Sequence, residues 1–296
     1  MAAKGEAVMK QSPGRRLREA WAAQTLAVPG VFCPLVARMA AKMGFRAVYL
    51  SGAALSAGLG LPDIGLLGAS EFADAARAIT AACDLPLICD ADTGFGEALN
   101  VERTVQLYQA AGAAGLHLED QQMPKRCGHL SGKTLVSAQE MVRKLRAAIA
   151  ARDDAAFVLI ARTDARGVEG FDAAVDRARR YVEAGADMIF PEALESPAEF
   201  ERFAQALPGV PLLANMTEFG KSPLLERAEL AQMGYRLVLY PVSGLRAALA
   251  ATRGVLEAIQ SQGHQRDQVD AMLTRRELYA YLDYDGYDAR DRSYFG

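Results

Sequence analysis

Apolar and polar positions along this chain come in blocks. A short apolar run ends in a polar cluster, a helix-length segment follows, and a glycine near the end of that segment opens the next run. Gly44, Gly112, Gly185 and Gly234 are such glycines. Eight runs read as strands: residues 26–31, 47–52, 85–90, 116–120, 157–162, 188–192, 211–215 and 237–241. The segments between them carry helix signals of their own. Asn100 is placed as an N-cap before Val101, Val105 and Leu107, which share a face. Ser137 and Glu140 match a capping box, and Pro197 after Ser196 fits a first helical turn, where its missing N–H costs nothing. Residues 15–24 predict a short amphipathic entry helix.

Near-continuous apolar strands separated by helices imply a parallel sheet covered on both faces. Eight such units in about 250 residues predict a closed (β/α)₈ barrel of the TIM type. A doubly wound open sheet would call for a G-x-G-x-x-G turn after the first strand, and Val28-Pro29-Gly30 lacks it. The division expected is a barrel over residues 1–263 and a helical arm over 264–296. In that arm residues 268–278 look helical, and Tyr279, Tyr281, Tyr284 and Tyr287 make an aromatic end. Its apolar surface suits packing on another part of the assembly, or on its own barrel.

Composition narrows the class. The 296 residues are 51% hydrophobic and 23% charged with a formal net charge of −3. Nothing is basic enough for a nucleic-acid partner, no apolar stretch suits a membrane, and residues 1–11 lack the apolar core of a secretory signal. Cys33, Cys83, Cys89 and Cys127 show no paired or metal-type spacing, which fits a reducing cytoplasm.

The candidate chemistry gathers at the carboxyl ends of the strands, where barrel active sites lie. Ser51, Gly52, Asp90, Asp92, Glu119, Asp120, Arg162, Asp164, Glu192, Asn215, Thr217, Ser243 and Arg246 all fall there. Asp90 and Asp92, two residues apart at a strand end, point to one side with Cα atoms about 6–7 Å apart. Two oxygen donors suit a hard cation that keeps several waters, which describes Mg²⁺; a capped, solvated strand end is the plainer reading, and Glu119 at the same rim favours the metal. Zn²⁺ would want a His/Cys cluster, which is missing. Arg162, Arg246 and Arg126 supply forks for carboxylates, or salt bridges to the rim acids. Cys127 lies in Lys125-Arg126-Cys127-Gly128-His129, an expected exposed loop in which Gly128 permits a tight turn and the flanking positive charge favours the thiolate. His129 would bond a substrate carboxylate or tune the thiol. His117 reads as a satisfied interior histidine, His264 as solvated, and Cys33, Cys83 and Cys89 as packing residues.

These motifs resemble the isocitrate lyase/phosphoenolpyruvate mutase superfamily, and within it the branch that cleaves 2-methylisocitrate. The likeness runs from about Arg15 into the C-terminal arm, through Tyr49-Leu50-Ser51-Gly52, Gly60-Leu61-Pro62-Asp63, Asp90-Ala91-Asp92-Thr93-Gly94-Phe95-Gly96 and Glu119-Asp120-Gln121. It continues in the K-R-C-G-H loop, Ala161-Arg162-Thr163-Asp164, Phe190-Pro191-Glu192-Ala193, Asn215-Met216-Thr217-Glu218-Phe219-Gly220 and Thr274-Arg275-Arg276-Glu277-Leu278-Tyr279. The K-R-C-G-H loop belongs to the lyase branch; the mutase branch lacks the cysteine.

The resemblance implies a (β/α)₈ barrel whose final helical region is exchanged with a neighbouring subunit, usually in a homotetramer. It implies Mg²⁺-dependent cleavage of a tricarboxylate, (2S,3R)-2-methylisocitrate, to pyruvate and succinate in the methylcitrate cycle of propionate catabolism. Asp90 and Asp92 would then hold the metal, directly or through water, with Glu119 nearby through water. Cys127 would be the general acid that protonates the succinate carbanion. Tyr49, Ser51, Gly52, Ala53, Gly128, His129, Arg162, Glu192, Asn215, Met216, Thr217, Arg246 and Arg275 would surround the substrate. The base stays open between Tyr49 and a hydroxide on the metal. Many relatives carry Ser-Gly-Gly-Gly where this chain has Ser51-Gly52-Ala53-Ala54, so two added methyls would narrow that corner. The rival readings are an isocitrate lyase, whose chains are typically much longer, an oxaloacetate- or phosphonate-acting relative, and a silent carboxylate-binding barrel.

Overall fold

The computed structural model describes residues 11–129 and 132–295; the polar leader of residues 1–10 lies outside them. Eight strands, β1 (Leu26–Pro29), β2 (Val48–Leu50), β3 (Leu87–Asp90), β4 (Gly115–Glu119), β5 (Val158–Thr163), β6 (Met188–Pro191), β7 (Leu212–Asn215) and β8 (Tyr235–Tyr240), pair in parallel in the order β1-β8-β7-β6-β5-β4-β3-β2. The ring closes just beyond β1, where Gly30 bridges Tyr49 and the Val31 N–H donates to the Tyr49 carbonyl at 2.8 Å. Each strand is followed by one or two helices, so the eightfold βα barrel expected from the apolar runs is what forms. Gly44, Gly112, Gly185 and Gly234 all take positive φ, the left-handed turn that ends a helix and launches the next strand.

Local chemistry explains most boundaries. Ser137 caps helix Ala138–Ala150: its hydroxyl accepts the Glu140 N–H at 3.2 Å, while Glu140 Oε2 accepts the Ser137 N–H at 2.9 Å. Ser196 caps helix Pro197–Ala206, its hydroxyl accepting the Glu199 N–H at 3.2 Å, with Pro197 in the first turn. Two expectations shift. Helix Ala98–Ala110 begins earlier than Asn100, whose side chain instead accepts the Glu97 N–H at 3.2 Å from inside the first turn. The tail does not run as one helix over 268–278. A 3₁₀ turn, Arg266–Ala271, gives way to helix Arg275–Leu282, because Thr274 and Glu277 form a new capping box.

Alternation along the strands divides the core in two. One set of side chains packs between sheet and helices, including Leu50, Cys89, Leu118, Leu159, Ile189 and Val238. The other fills the barrel: Val28, Tyr49, Ile88, Val158, Ile160, Met188, Phe190, Leu213, Leu237 and Leu239. The entry helix Pro13–Ala23 closes the floor, adding Leu17, Ala20 and Trp21 to that interior cluster. Arg18 fastens it by donating to the Ala156 carbonyl at 2.8 Å and pairing with Asp187 at 2.8 Å.

At the other end of the chain, helix Ser243–Gln262 stops at Gly263. Helix Arg275–Leu282 docks on helix Pro34–Lys42 of its own barrel, where Arg38 donates to the Leu282 carbonyl at 2.8 Å. Among the described residues no helix is long and apolar enough to cross a membrane.

Leu17 is fully buried at the barrel floor. Leu17→Ala is expected to cost about 2–5 kcal/mol in urea unfolding while leaving the mouth chemistry untouched. A loss under about 1 kcal/mol would show that the entry helix does not plug the barrel.

Candidate active site

Inward-facing positions near the strand ends form a cavity of about 600 Å³, its open mouth included. Tyr49 comes from β2 and Ser51 from just past its end, Asp90 from β3, Glu119 from β4, and Arg162 from β5. Phe190 comes from β6 and Glu192 from just past it, Asn215 from β7 and Thr217 from just past it, and Leu239 from β8, with Pro241 and Arg246 in the turn and helix that follow. One layer deeper sits His117, fully buried, with the Tyr49 hydroxyl 2.8 Å from its Nε2. Burial lowers the His117 pKa to about 4, so the ring is neutral. Burial and then the charge of Asp90 push the Tyr49 phenol well above its ordinary value. The base stays open between Tyr49, whose hydroxyl is tied to His117, and a hydroxide on a bound metal.

The centre of the site is Arg162. Its guanidinium forks onto Asp164 at 2.9 and 3.1 Å, lies 3.3 Å from Glu119 and 3.9 Å from Glu192, and rests over the Phe190 ring. Against the cost of burial, Arg162 and then His129 hold the Glu192 carboxyl well below the usual range. Asn215 Nδ2 donates to Glu192 at 3.3 Å. His129 Nε2 stands 2.8 Å from Glu192, and its Nδ1 accepts the Lys221 N–H at 2.9 Å. The imidazole thus reaches an internal acid and a neighbouring loop.

The acids of β3 and β4 are short of positive charge. Asp90 Oδ2 accepts the Gly52 N–H at 3.0 Å and its Oδ1 the Asp92 N–H at 3.1 Å. Gly52 must lack a side chain, since a Cβ there would meet Asp90 Oδ2 at 2.9 Å and the Phe72 ring at 3.1 Å. Asp92 lies past the end of β3 with φ +44°, so strand alternation does not set its direction, and it does not line the cavity. Buried Lys125 bridges it to Asp63, at 2.9 Å from Asp92 but without a well-directed hydrogen bond.

Burial and then the Asp90 charge raise Asp92 to about 7, and burial raises Glu119 well above its ordinary value. Glu119 Oε1 is buried with no hydrogen-bond partner, and Asp92 Oδ1 has only the Lys125 ammonium beside it. Among the described residues no three His, Cys, Asp or Glu side chains converge as a preformed metal cage. Crowded carboxylates sharing one ammonium fit a hydrated hard cation, which reaches its protein donors largely through water.

The Cys127 loop differs from the expectation in three ways. It is not an exposed loop: Gly128 and Lys125 are buried, Cys127 is half-buried, and only Arg126 faces out. Gly128 serves close approach rather than a left-handed turn, since a Cβ would fall 2.5 Å from Glu192 Oε1 and collide with Arg162. The thiol is not activated as a thiolate either. Lys125 is turned to Asp63 and Asp92, and burial pushes the Cys127 thiol up, outweighing the His129 N–H and Arg162. A neutral thiol is the form that donates a proton.

The structure therefore brings Cys127, Tyr49, Ser51, Ala53, Gly128, His129, Arg162, Glu192, Asn215, Thr217, Arg246, Asp90 and Glu119 to one cavity. Ala54, beside Ala53, packs with Val242 and Leu245, so its methyl is absorbed by the wall. Met216 is not a lining residue; its side chain is buried in the outer core and its sulfur accepts the Leu225 N–H at 3.2 Å. Arg275 sits exposed at the start of the C-terminal helix, outside its own chain's cavity. Sequence reasoning missed the ion-pairing roles of Lys125, Asp63 and Lys133. Their only signal was charge in a loop, which reads equally as solvation.

The chain belongs to the phosphoenolpyruvate phosphomutase family, whose model matches residues 16–260. Within that family it is 52% identical to the 2-methylisocitrate lyase of Aeropyrum pernix, over 95% of this chain and 91% of the relative. Among solved structures, a 2,3-dimethylmalate lyase described as a PEP mutase/isocitrate lyase superfamily member superposes with a TM-score of 0.90 at 35% identity, covering 97% of this chain and 96% of that one. A phosphonopyruvate hydrolase in complex with oxalate and Mg²⁺ gives 0.87 at 34% identity, covering 97% and 100%.

Iodoacetamide labelling of Cys127, followed by peptide mass spectrometry, is expected to titrate above the ordinary thiol value of about 8.5. Little thiolate would then be present at pH 8. A midpoint below about 8 would mean that the loop does activate the sulfur.

Proposed function

We propose that the chain is a 2-methylisocitrate lyase, cleaving (2S,3R)-2-methylisocitrate to pyruvate and succinate with Mg²⁺. The observation that carries this reading is the Cys127 thiol lining the same cavity as Asp90, Glu119 and Arg162. The relatives named for that activity support it, as does a family member holding Mg²⁺ and oxalate. Asp90, Asp92 and Glu119 would hold Mg²⁺, directly or through water, and the ion would supply Lewis acidity toward the hydroxy-carboxylate end that becomes pyruvate. Arg162, Asn215, Thr217 and Arg246 then hold the other carboxylates. A base takes the proton of the substrate hydroxyl as that oxygen becomes the carbonyl of pyruvate; the carbon–carbon bond breaks with its electron pair staying on the succinate half, and Cys127 gives its proton to that carbon. Phe190, Leu239 and Pro241 line the cavity with apolar surface that accommodates a methyl group. Such a reaction belongs to propionate catabolism, and four unpaired cysteines suit a reducing cytoplasm.

Isocitrate lyase differs by that one methyl, a discrimination of roughly 1–3 kcal/mol. Offered both substrates, the enzyme is expected to make pyruvate from methylisocitrate faster than glyoxylate from isocitrate, and to stop when EDTA removes the metal. Cys127→Ser is expected to lower kcat by about 10²–10⁴-fold with product and Mg²⁺ binding kept. Preferred glyoxylate, no keto acid at all, or normal turnover by the serine variant would each sink this assignment.

The assembly we propose is a homotetramer in which helix Arg275–Leu282 leaves Arg38 of its own barrel for a neighbouring subunit, carrying Arg275 to that subunit's site. Leu249, Leu256, Ile259, Leu273, Tyr287 and Phe295 leave the arm and its preceding helix apolar on their exposed sides. Sedimentation is expected at about four times the 31.8 kDa chain mass. A monomer at micromolar concentration would contradict the exchange.

A further inference from the structure

The loop carrying Cys127 is fastened on both sides of the thiol by two buried side chains that take no part in the chemistry above. On one side, the Gln121 amide holds both backbone polar groups of Arg126: its Oε1 accepts the Arg126 N–H at 2.9 Å, and its Nε2 donates to the Arg126 carbonyl at 2.8 Å. On the other, the Lys133 ammonium donates to the Gly128 carbonyl and to Asp164 Oδ1, the latter at 2.7 Å. Gln121 is 1% exposed and Lys133 8%.

Both side chains grow from a rigid stem. Gln121 bridges Leu135 in antiparallel fashion, the Gln122 N–H donates to the Thr134 carbonyl at 2.8 Å, and the Val136 N–H to the Asp120 carbonyl at 2.9 Å. Asp164 also grips Arg162. The lysine therefore ties the peptide after Cys127 to the guanidinium at the centre of the site.

We infer that Gln121 and Lys133 form a two-point clasp that fixes where the Cys127 sulfur sits, and that they are positioning residues for its proton delivery. The inference rests on the role given to Cys127 under the proposed function. With the peptide groups of Arg126 and Gly128 both held, the backbone at Cys127 cannot swing without breaking buried hydrogen bonds. Proton transfer needs the donor within hydrogen-bond reach of the carbon, and a misplacement of about 1 Å costs about a hundredfold in rate. Unfastened, the same loop would carry the thiol away from the cavity and into solvent.

Gln121→Glu keeps the acceptor for the Arg126 N–H but cannot donate to its carbonyl when ionised; Lys133→Met keeps length and removes the ammonium. In the Mg²⁺-loaded protein, each is expected to lower kcat about ten- to a hundredfold with KM changed by less than about threefold. Each should also speed iodoacetamide labelling of Cys127 by about fivefold or more. Labelling needs no substrate, so faster labelling in a protein that turns over neither tricarboxylate upholds the clasp and rejects only the activity. Folded variants, judged by circular dichroism and thermal midpoint, with wild-type kcat and labelling would overturn the clasp. A raised KM at unchanged kcat would overturn it too, since that marks substrate binding. Should Lys133→Met fail to fold, the near-isosteric Gln121→Glu alone decides between these results.

Discussion

One buried guanidinium surrounded by three buried carboxylates organises the mouth of this barrel. Arg162 stands at the end of β5 and meets Glu119 from β4, Asp164 from its own strand end and Glu192 from β6. Charges at this depth persist only when paired; removing one partner of such a set typically costs about 3–5 kcal/mol. The set therefore fixes the relative height of three neighbouring strand ends. It also gives the Cys127 loop a surface to pack on, because Gly128 lies directly against Arg162 and Glu192.

From that arrangement follows a division of charge across the cavity. On the β3–β4 side, Asp90, Asp92 and Glu119 crowd around one ammonium, Lys125, and Glu119 Oε1 is left without a hydrogen-bond partner. On the β5–β6 side Asp164 and Glu192 lie against Arg162 and Lys133, with the His129 imidazole beside Glu192, which stays ionised. A cation belongs on the first side and substrate carboxylates near the second. Between them the burial that raises the Cys127 thiol keeps its proton in place for donation.

The barrel was legible because its signals are local. Apolar runs, terminal glycines and capping boxes each act within a few residues, and the inward alternation placed Asp90, Glu119, Arg162, Glu192 and Asn215 at one rim. What escaped depends on tertiary partners. Lys125 beside Cys127 reads as a thiol activator until the fold turns it to Asp63 and Asp92. Gly128 reads as a turn residue until the crowding by Arg162 is seen, and Met216 reads with its motif until its side chain is found on the outer face. The break at Thr274 is hidden in sequence because its capping box with Glu277 sits inside a segment of helix length.

The most direct test of the central claim is a crystal structure with Mg²⁺, pyruvate and succinate bound. The account predicts the cation beside Asp90 and Asp92 on the pyruvate side, and the Cys127 sulfur facing a methylene carbon of succinate across the cavity. A sulfur turned from the barrel mouth, or a cation lodged away from those aspartates, would contradict it.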